Sequence, residues 1–132
     1  MIPTSRLLVL VAAAMLPLHA SGSEGRKLST AELDALINSD YLAAGITDHG
    51  WAFASVNRAG GQREVYRNNF IPFTEGKTRQ DTATVKDGQV CVLRHDQQFE
   101  RCFDVFHLKG NVYESWLNGV RYATWTLFRR PH

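Results

Sequence analysis

The sequence predicts a mainly β domain: a small antiparallel meander that forms a barrel or a curved sheet, with one short N-terminal helix and one disulfide. Three observations predict it. Short apolar and aromatic runs recur at near-regular spacing through the C-terminal half, and turn residues separate them. Asn118-Gly119 lies between two such runs, and Asn-Gly is the strongest short-range signal for a hairpin turn. Cys91 and Cys102 lie on the two runs that flank another predicted turn, near residues 96–97, and can pair across it.

The first 22 residues have the order of a secretory signal peptide. Arg6 precedes an apolar run over 7–16, Pro17 ends that run, and small residues follow at 20–22. The run is shorter than the roughly 20 apolar residues that span a bilayer, so we expect no membrane span once it is removed. We therefore divide the chain into a signal peptide, 1–22, and a single β-rich domain, 23–132, in a periplasmic or secreted protein.

A helix is predicted directly after the polar N-terminus of that domain. Ser29 and Glu32 form a Ser-x-x-Glu capping box, the pattern with which helices begin. Leu33, Leu36 and Ile37 then fall on one helical face. The pattern predicts a short amphipathic helix over about 30–38.

The pattern then changes to that of strands. We predict strands at 51–56, 64–67, 82–85, 89–94, 101–107, 112–116 and 120–127. Gly45 indicates a break before the first of them, and Pro72 and Gly76 indicate a loop over 68–80. A two-residue turn at Asn118-Gly119 places Trp116 opposite Arg121 and Ser115 opposite Tyr122.

The strand at 101–107 is apolar on both faces, because Phe103 and Val105 oppose Phe106. Covering it on both sides is one interpretation, and the predicted helix could supply the second cover. A patch that binds a partner is the other.

The two cysteines are expected to form a structural disulfide. Opposing Cys91 and Cys102 also places residue 94 opposite residue 99, so the bridge and the turn agree in register. Reactive dithiols favour Cys-x-x-Cys and zinc sites need four closely spaced ligands, and neither pattern is present in the sequence. An exported chain meets conditions in which disulfides persist. We predict no metal site.

Charge and composition limit the partners. The formal net charge is +2, and hydrophobic residues make up 44% of the chain. A nearly neutral chain gives no electrostatic reason to expect nucleic acid as a partner. We expect a monomer that binds a small apolar ligand or a partner in the cell envelope.

Catalytic patterns are weak in this sequence. It has no Gly-x-Ser-x-Gly elbow and no Gly-rich phosphate loop. An enzyme would need His107, Asp104 or Glu114 to converge in a cleft. Asp104 and Glu114 could act as an acid/base pair inside a barrel, but a strand also places carboxylates on its solvated face. We predict no enzyme and no cofactor.

Aromatic side chains are the candidate site residues. A ligand or partner surface is predicted at Trp51, Phe53, Phe70, Phe73, Tyr113, Trp116, Tyr122 and Trp125. The same residues could fill a packed core, or they could line a barrel mouth that binds an apolar molecule. The predicted function is a non-catalytic binding protein of the cell envelope. The alternative is a protein-interaction module, such as a secreted inhibitor or virulence-related factor, that uses exposed aromatics.

The chain also resembles a known family through several short motifs. They are Leu28-Ser-x-x-Glu-Leu33, Gly50-Trp-x-Phe53, Val85-x-Asp-Gly-x-Val-Cys-Val92, the second cysteine Cys102, and Gly110-x-x-Tyr113. This set is similar to the small exported proteobacterial proteins of domain of unknown function family 995. The resemblance implies export, a β-rich fold and a disulfide, and it implies no catalytic residue, cofactor or substrate.

Overall fold

A computed structural model describes residues 22–68 and 78–129. The predicted signal peptide, apart from Gly22, lies outside the described residues, as do Phe70 and Phe73. Across those two stretches, no helix has the length and apolar character needed to cross a membrane.

The described residues form a closed antiparallel β-barrel with one short helix, which confirms the predicted fold class. The helix α1 is Thr30–Ile37, and the strands are β1 Arg26–Lys27, β2 Tyr41–Thr47, β3 Ala52–Arg58, β4 Gln62–Asn68, β5 Thr78–Lys86, β6 Gln89–Arg94, β7 Phe99–Lys109, β8 Val112–Leu117 and β9 Val120–Arg129. Each strand from β2 to β9 pairs with the next along the chain, and β9 pairs back with β2. The barrel therefore has eight strands.

Helix α1 covers one end of the barrel. The capping box is present: the Ser29 hydroxyl accepts from the Glu32 backbone N–H, and the Glu32 carboxylate accepts from the Ser29 N–H. A hydrogen bond from Arg26 lowers the pKa of Glu32 to about 2. Leu33, which is 0% exposed, and Ile37 pack into the core that the barrel side chains form. We call this covered end the closed end.

Strand β2 was not predicted, and it closes the barrel. Its inward residues Tyr41, Ala43 and Thr47 are buried, and its outward residues Leu42 and Ile46 are exposed. That alternation is typical of a strand with one buried face. Strand β5 also begins at residue 78, inside the stretch 68–80 that was predicted as a loop.

The lack of a side chain at Gly45 allows β2 to lie close to β9. A Cβ there would collide with the Thr124 carbonyl oxygen and with Trp125 on β9. Gly45 and Trp125 are register partners on the inner face, so the absent side chain gives the indole its space. The residue taken as a break is therefore a point of close strand contact.

The two faces of strand β7 lie on opposite sides of the barrel wall. Phe103 and Val105 point inward and are buried, whereas Phe106 points outward and its ring lies 6.0 Å from that of Trp116. On the outer side the N-terminal segment, and not helix α1, lies over this region: Gly22 lies against the Trp116 ring, and the Ser23 hydroxyl donates to Glu114. Strand β1 of the same segment pairs edge-to-edge with β7 at His107 and Phe106, beyond the end of β6.

The Asn118-Gly119 hairpin forms with one departure from the predicted register. Trp116 pairs with Arg121 as predicted, but Ser115 pairs with Ala123 rather than with Tyr122. Tyr122 is the extra residue of a β-bulge. The bulge matters because it leaves the Tyr122 side chain lining the barrel interior.

The predicted disulfide is confirmed. Cys91 and Cys102 are direct register partners on β6 and β7, and their sulfurs are bonded. Arg94 pairs with Phe99 as the predicted register required. Closing a loop of sequence separation 11 stabilises the fold by about 3 kcal/mol through the unfolded chain.

Candidate functional site: a cavity inside the barrel

The barrel encloses a cavity of about 130 Å³. Leu36 and Ile37 of α1 line it at the closed end, and Ala43 and Ala123 line its wall. Trp51 lines it at the opposite end, where it is 42% exposed and where the described residues leave the cavity open. Small side chains on β2 and β9 leave this space unfilled, since larger ones at those positions would project into it.

Four of the predicted aromatic residues share this cavity. They are Trp51, Phe53, Tyr122 and Trp125. Trp125 is 8% exposed, and its indole N–H donates to the Ser115 hydroxyl at 3.0 Å. The indole is thus fixed in the wall, and its ring presents a flat apolar surface to the interior.

The other predicted aromatics lie elsewhere. Tyr113 stacks on Trp125 with ring centroids 4.7 Å apart and packs against the buried core, and it is not among the residues that line the cavity. Trp116 is on the outer face of the barrel, and its indole N–H donates to Glu114 at 3.2 Å. Phe70 and Phe73 lie outside the described residues.

Charged residues in the cavity wall were not predicted from the sequence. The Asp81 carboxylate is 0% exposed and accepts two hydrogen bonds from Arg79, from Nε at 2.8 Å and from Nη2 at 2.9 Å. Asp81 is also the register partner of Arg63 on β4 and of Arg94 on β6. One buried carboxylate therefore lies among three arginines.

Arg94 has a second carboxylate at the rim. Asp96 accepts from Arg94 Nε at 3.1 Å and from Nη2 at 2.8 Å. This hydrogen bonding raises the pKa of Arg94 and lowers the pKa of Asp96. Asp96 is half exposed, so solvent reaches the carboxylate of this ion pair.

Within the part of the chain that the structure describes, Arg63 has no comparable partner. Its Nε is buried and has no hydrogen-bond partner among the described residues, and the same holds for Oδ1 of its register neighbour Asn57. Burial raises the pKa of the nearby Tyr41 phenol, an effect that Arg63 partly opposes. Tyr41 is therefore neutral and does not balance the charge of Arg63.

Arg101 is held by aromatic rings. Its guanidinium lies 5.2 Å from the centroid of Tyr122, 5.4 Å from Phe99 and 6.0 Å from Phe103. Cation–π contact of this kind fixes a guanidinium while leaving its N–H donors open. Arg101 makes no ion pair with any residue in 22–68 or 78–129.

The residues weighed for catalysis do not meet. Asp104 and Glu114 are register partners of outward-facing residues and lie on the outer face of the barrel. Burial would raise the pKa of Glu114, but hydrogen bonds from Ser23, Trp116 and Arg121 outweigh it and lower that pKa. His107 lies by the turn at the closed end, with Nε2 2.7 Å from the Gly110 carbonyl oxygen.

Among the described residues, an uncharged patch lies on the outer side of the barrel, between Arg58 on β3 and Arg121 on β9. It consists of outward residues from the middle of β9, β2 and β3: Thr124, Thr126, Phe128, Leu42, Ala44, Ile46, Ala52, Ala54 and Val56. Ile46 and Phe128 are 52% and 51% exposed. We call this set the β9–β2–β3 face.

Comparison with known proteins adds no assignment. No family model, no curated protein and no solved structure matches this chain.

Proposed function

We propose that the chain is an exported, non-catalytic binding protein and that its barrel interior takes a small ligand with an apolar body. The observation that carries the proposal is the cavity of about 130 Å³, covered by α1 at one end and open among the described residues at the other. Concave sites with apolar walls and a few placed polar groups are the usual form of small-molecule sites. Trp51, Phe53 and Trp125 supply such a wall.

Export is supported by two features of different kinds. Residues 1–22 have the order of a signal peptide. Cys91 and Cys102 are bonded, and disulfides persist in oxidising compartments such as the periplasm. A periplasmic or extracellular binding protein accounts for both.

Filling the cavity should abolish binding of an uncharged aromatic probe. Ala43 is 4% exposed and lines the cavity, so a phenylalanine there occupies the ligand's space. We expect 2-naphthamide to bind the wild type and to bind Ala43→Phe at least tenfold more weakly, measured by isothermal titration calorimetry.

The matched control is Ala44→Phe, one residue along β2 on the outer face. It adds the same ring and should leave the affinity for 2-naphthamide unchanged. Circular dichroism shows whether each variant is folded. A wild type that does not bind, or equal binding by a folded Ala43→Phe variant, would contradict the proposed site.

A second candidate function is protein interaction through the β9–β2–β3 face. An uncharged face with exposed Ile46 and Phe128 matches another uncharged apolar face, and a second copy of this chain supplies one. Such a pair would be symmetric, because both copies would use the same strands.

Self-association can be measured by analytical ultracentrifugation. This second function predicts a dimer that Ile46→Glu dissociates, raising the dissociation constant at least tenfold, because the carboxylate would be buried without a partner. Val120→Glu is the control, since Val120 is 67% exposed and lies outside the face. A wild type that stays monomeric at every concentration would instead support the monomer expected from the sequence.

A further inference from the structure

We infer that the cavity binds a small organic anion, with its oxyanion group, a carboxylate or phosphate, on the guanidinium groups of Arg63 and Arg101 and its apolar body on the aromatic wall. This inference rests on the proposed binding function and names the ligand's chemical class. It departs from the uncharged apolar ligand that the aromatic content predicts.

The first support is an imbalance of charge in the wall. Four arginines line the cavity, namely Arg63, Arg79, Arg94 and Arg101, whereas Asp81 is the one carboxylate among its described lining residues. Asp81 is engaged by Arg79, and Asp96 outside the cavity engages Arg94. Among the described residues, Arg63 and Arg101 therefore make no ion pair with a carboxylate.

The second support is that an arginine side chain cannot become neutral by losing a proton. A buried lysine can become neutral, but the guanidinium stays charged in proteins. A charge withdrawn from water without a counter-charge is unfavourable. A bound anion is therefore the natural complement to Arg63 and Arg101.

The third support is the way these groups are held. Arg63 Nε is buried with no hydrogen-bond partner among the described residues, so a donor is already desolvated there. Arg101 is fixed by Phe99, Phe103 and Tyr122, and none of these rings uses up its N–H donors. Donors placed in advance bind an oxyanion without the cost of ordering flexible side chains.

The bulge on β9 connects the charge to the apolar wall. It brings Tyr122 into the interior, where its ring contacts both Arg101 and Phe103, at 5.3 Å between the centroids of the two rings. A ligand with a flat apolar body could pack on this wall while its anionic end meets the arginines. The two parts of the site thus match the two parts of one molecule.

The test compares two probes that differ in charge and hardly in shape: 2-naphthoate and the uncharged 2-naphthamide. Both are titrated into the disulfide-bonded protein by calorimetry, and 2-naphthyl phosphate is added as a third probe to separate the two headgroups. We expect 2-naphthoate, 2-naphthyl phosphate or both to bind at least tenfold more tightly than 2-naphthamide. Raising the salt concentration should reduce that preference.

Variants locate the effect. Arg63→Gln and Arg101→Gln should each remove most of the preference for the anion while 2-naphthamide affinity stays within about threefold. Retained naphthamide binding also shows that the variant is folded with its cavity intact. Arg58→Gln removes the same charge from an exposed position at the closed end and should leave the preference unchanged.

The outcomes separate the two proposals. Equal affinity of the wild type for charged and uncharged probes would overturn the anion inference and leave the binding cavity standing. An anion preference that survives both cavity variants would also overturn it. Failure of every probe to bind would overturn the proposed function itself.

Discussion

Replacing Asp81 with asparagine should destabilise the protein by about 3–5 kcal/mol, the largest effect that we expect from any single substitution in the barrel. The change keeps the shape of the side chain and one acceptor oxygen but removes its charge. Arg79, which donates twice to Asp81, would then be a partly buried cation without its partner. Arg63 and Arg94, the register partners of Asp81, add like charges nearby.

Urea unfolding followed by circular dichroism measures this loss, and the melting temperature should fall by on the order of 10–20 °C. Asp96→Asn is the matched control, because Asp96 forms the same two-bond contact with an arginine but is half exposed. Its loss should be at most about 1 kcal/mol. If Asp81→Asn cost no more than Asp96→Asn, the carboxylate would not be balancing the charge in the cavity.

A double variant separates the charge from the packing. Arg79→Met removes the cation that Asp81→Asn leaves behind, so the two changes together should cost less than the sum of the two alone. Additive losses would mean that Asp81 stabilises the barrel through contacts other than this ion pair.

The fold could be predicted where the sequence carries local rules. The capping box at Ser29 and Glu32 gave the helix its start, and Asn118-Gly119 gave the last hairpin its turn. The cysteine register followed from strand geometry, because directly opposed residues are the ones that can be bridged. In each case, residues close in sequence determine the structure.

Strand β2 could not be found by the same rules. Gly45 has a low strand propensity, and only the close approach of Trp125 on β9, 80 positions away in the chain, explains it. The start of β5 was not predicted for a different reason: its residues Arg79 and Asp81 are charged. A strand whose inward face is charged departs from the alternation that identifies half-buried strands.

The aromatic half of the site was accessible from sequence, and the charged half was not. Arg94 and Arg101 lay in or beside predicted strands, yet strand patterns assign charged residues to the solvent face. The register could have revealed them, since the pairing of Cys91 with Cys102 also pairs Val92 with Arg101 and so places that arginine opposite an apolar side chain. No sequence pattern of this kind predicts the β-bulge at Tyr122.

Truncating Leu33 to alanine should cost about 2–5 kcal/mol, because it empties part of the core that holds α1 on the closed end. Leu33 is 0% exposed and packs with Leu28 and Ile37 against the inward residues of the barrel. The lost contacts leave a void that the surrounding strands, tied into a closed ring of hydrogen bonds, cannot collapse to fill. Chemical denaturation measures the change.

Leu36→Ala is the comparison, since it makes the same change three residues further along the same helix. Leu36 is half-buried and lines the ligand cavity, so its loss should be smaller in stability and should change the affinity for 2-naphthamide. Leu33 is not among the cavity-lining residues, so a folded Leu33→Ala variant should bind the probe as the wild type does. A Leu33→Ala variant as stable as the wild type would show that α1 contributes little to the barrel, and the closed end would then be an unstable boundary of the site.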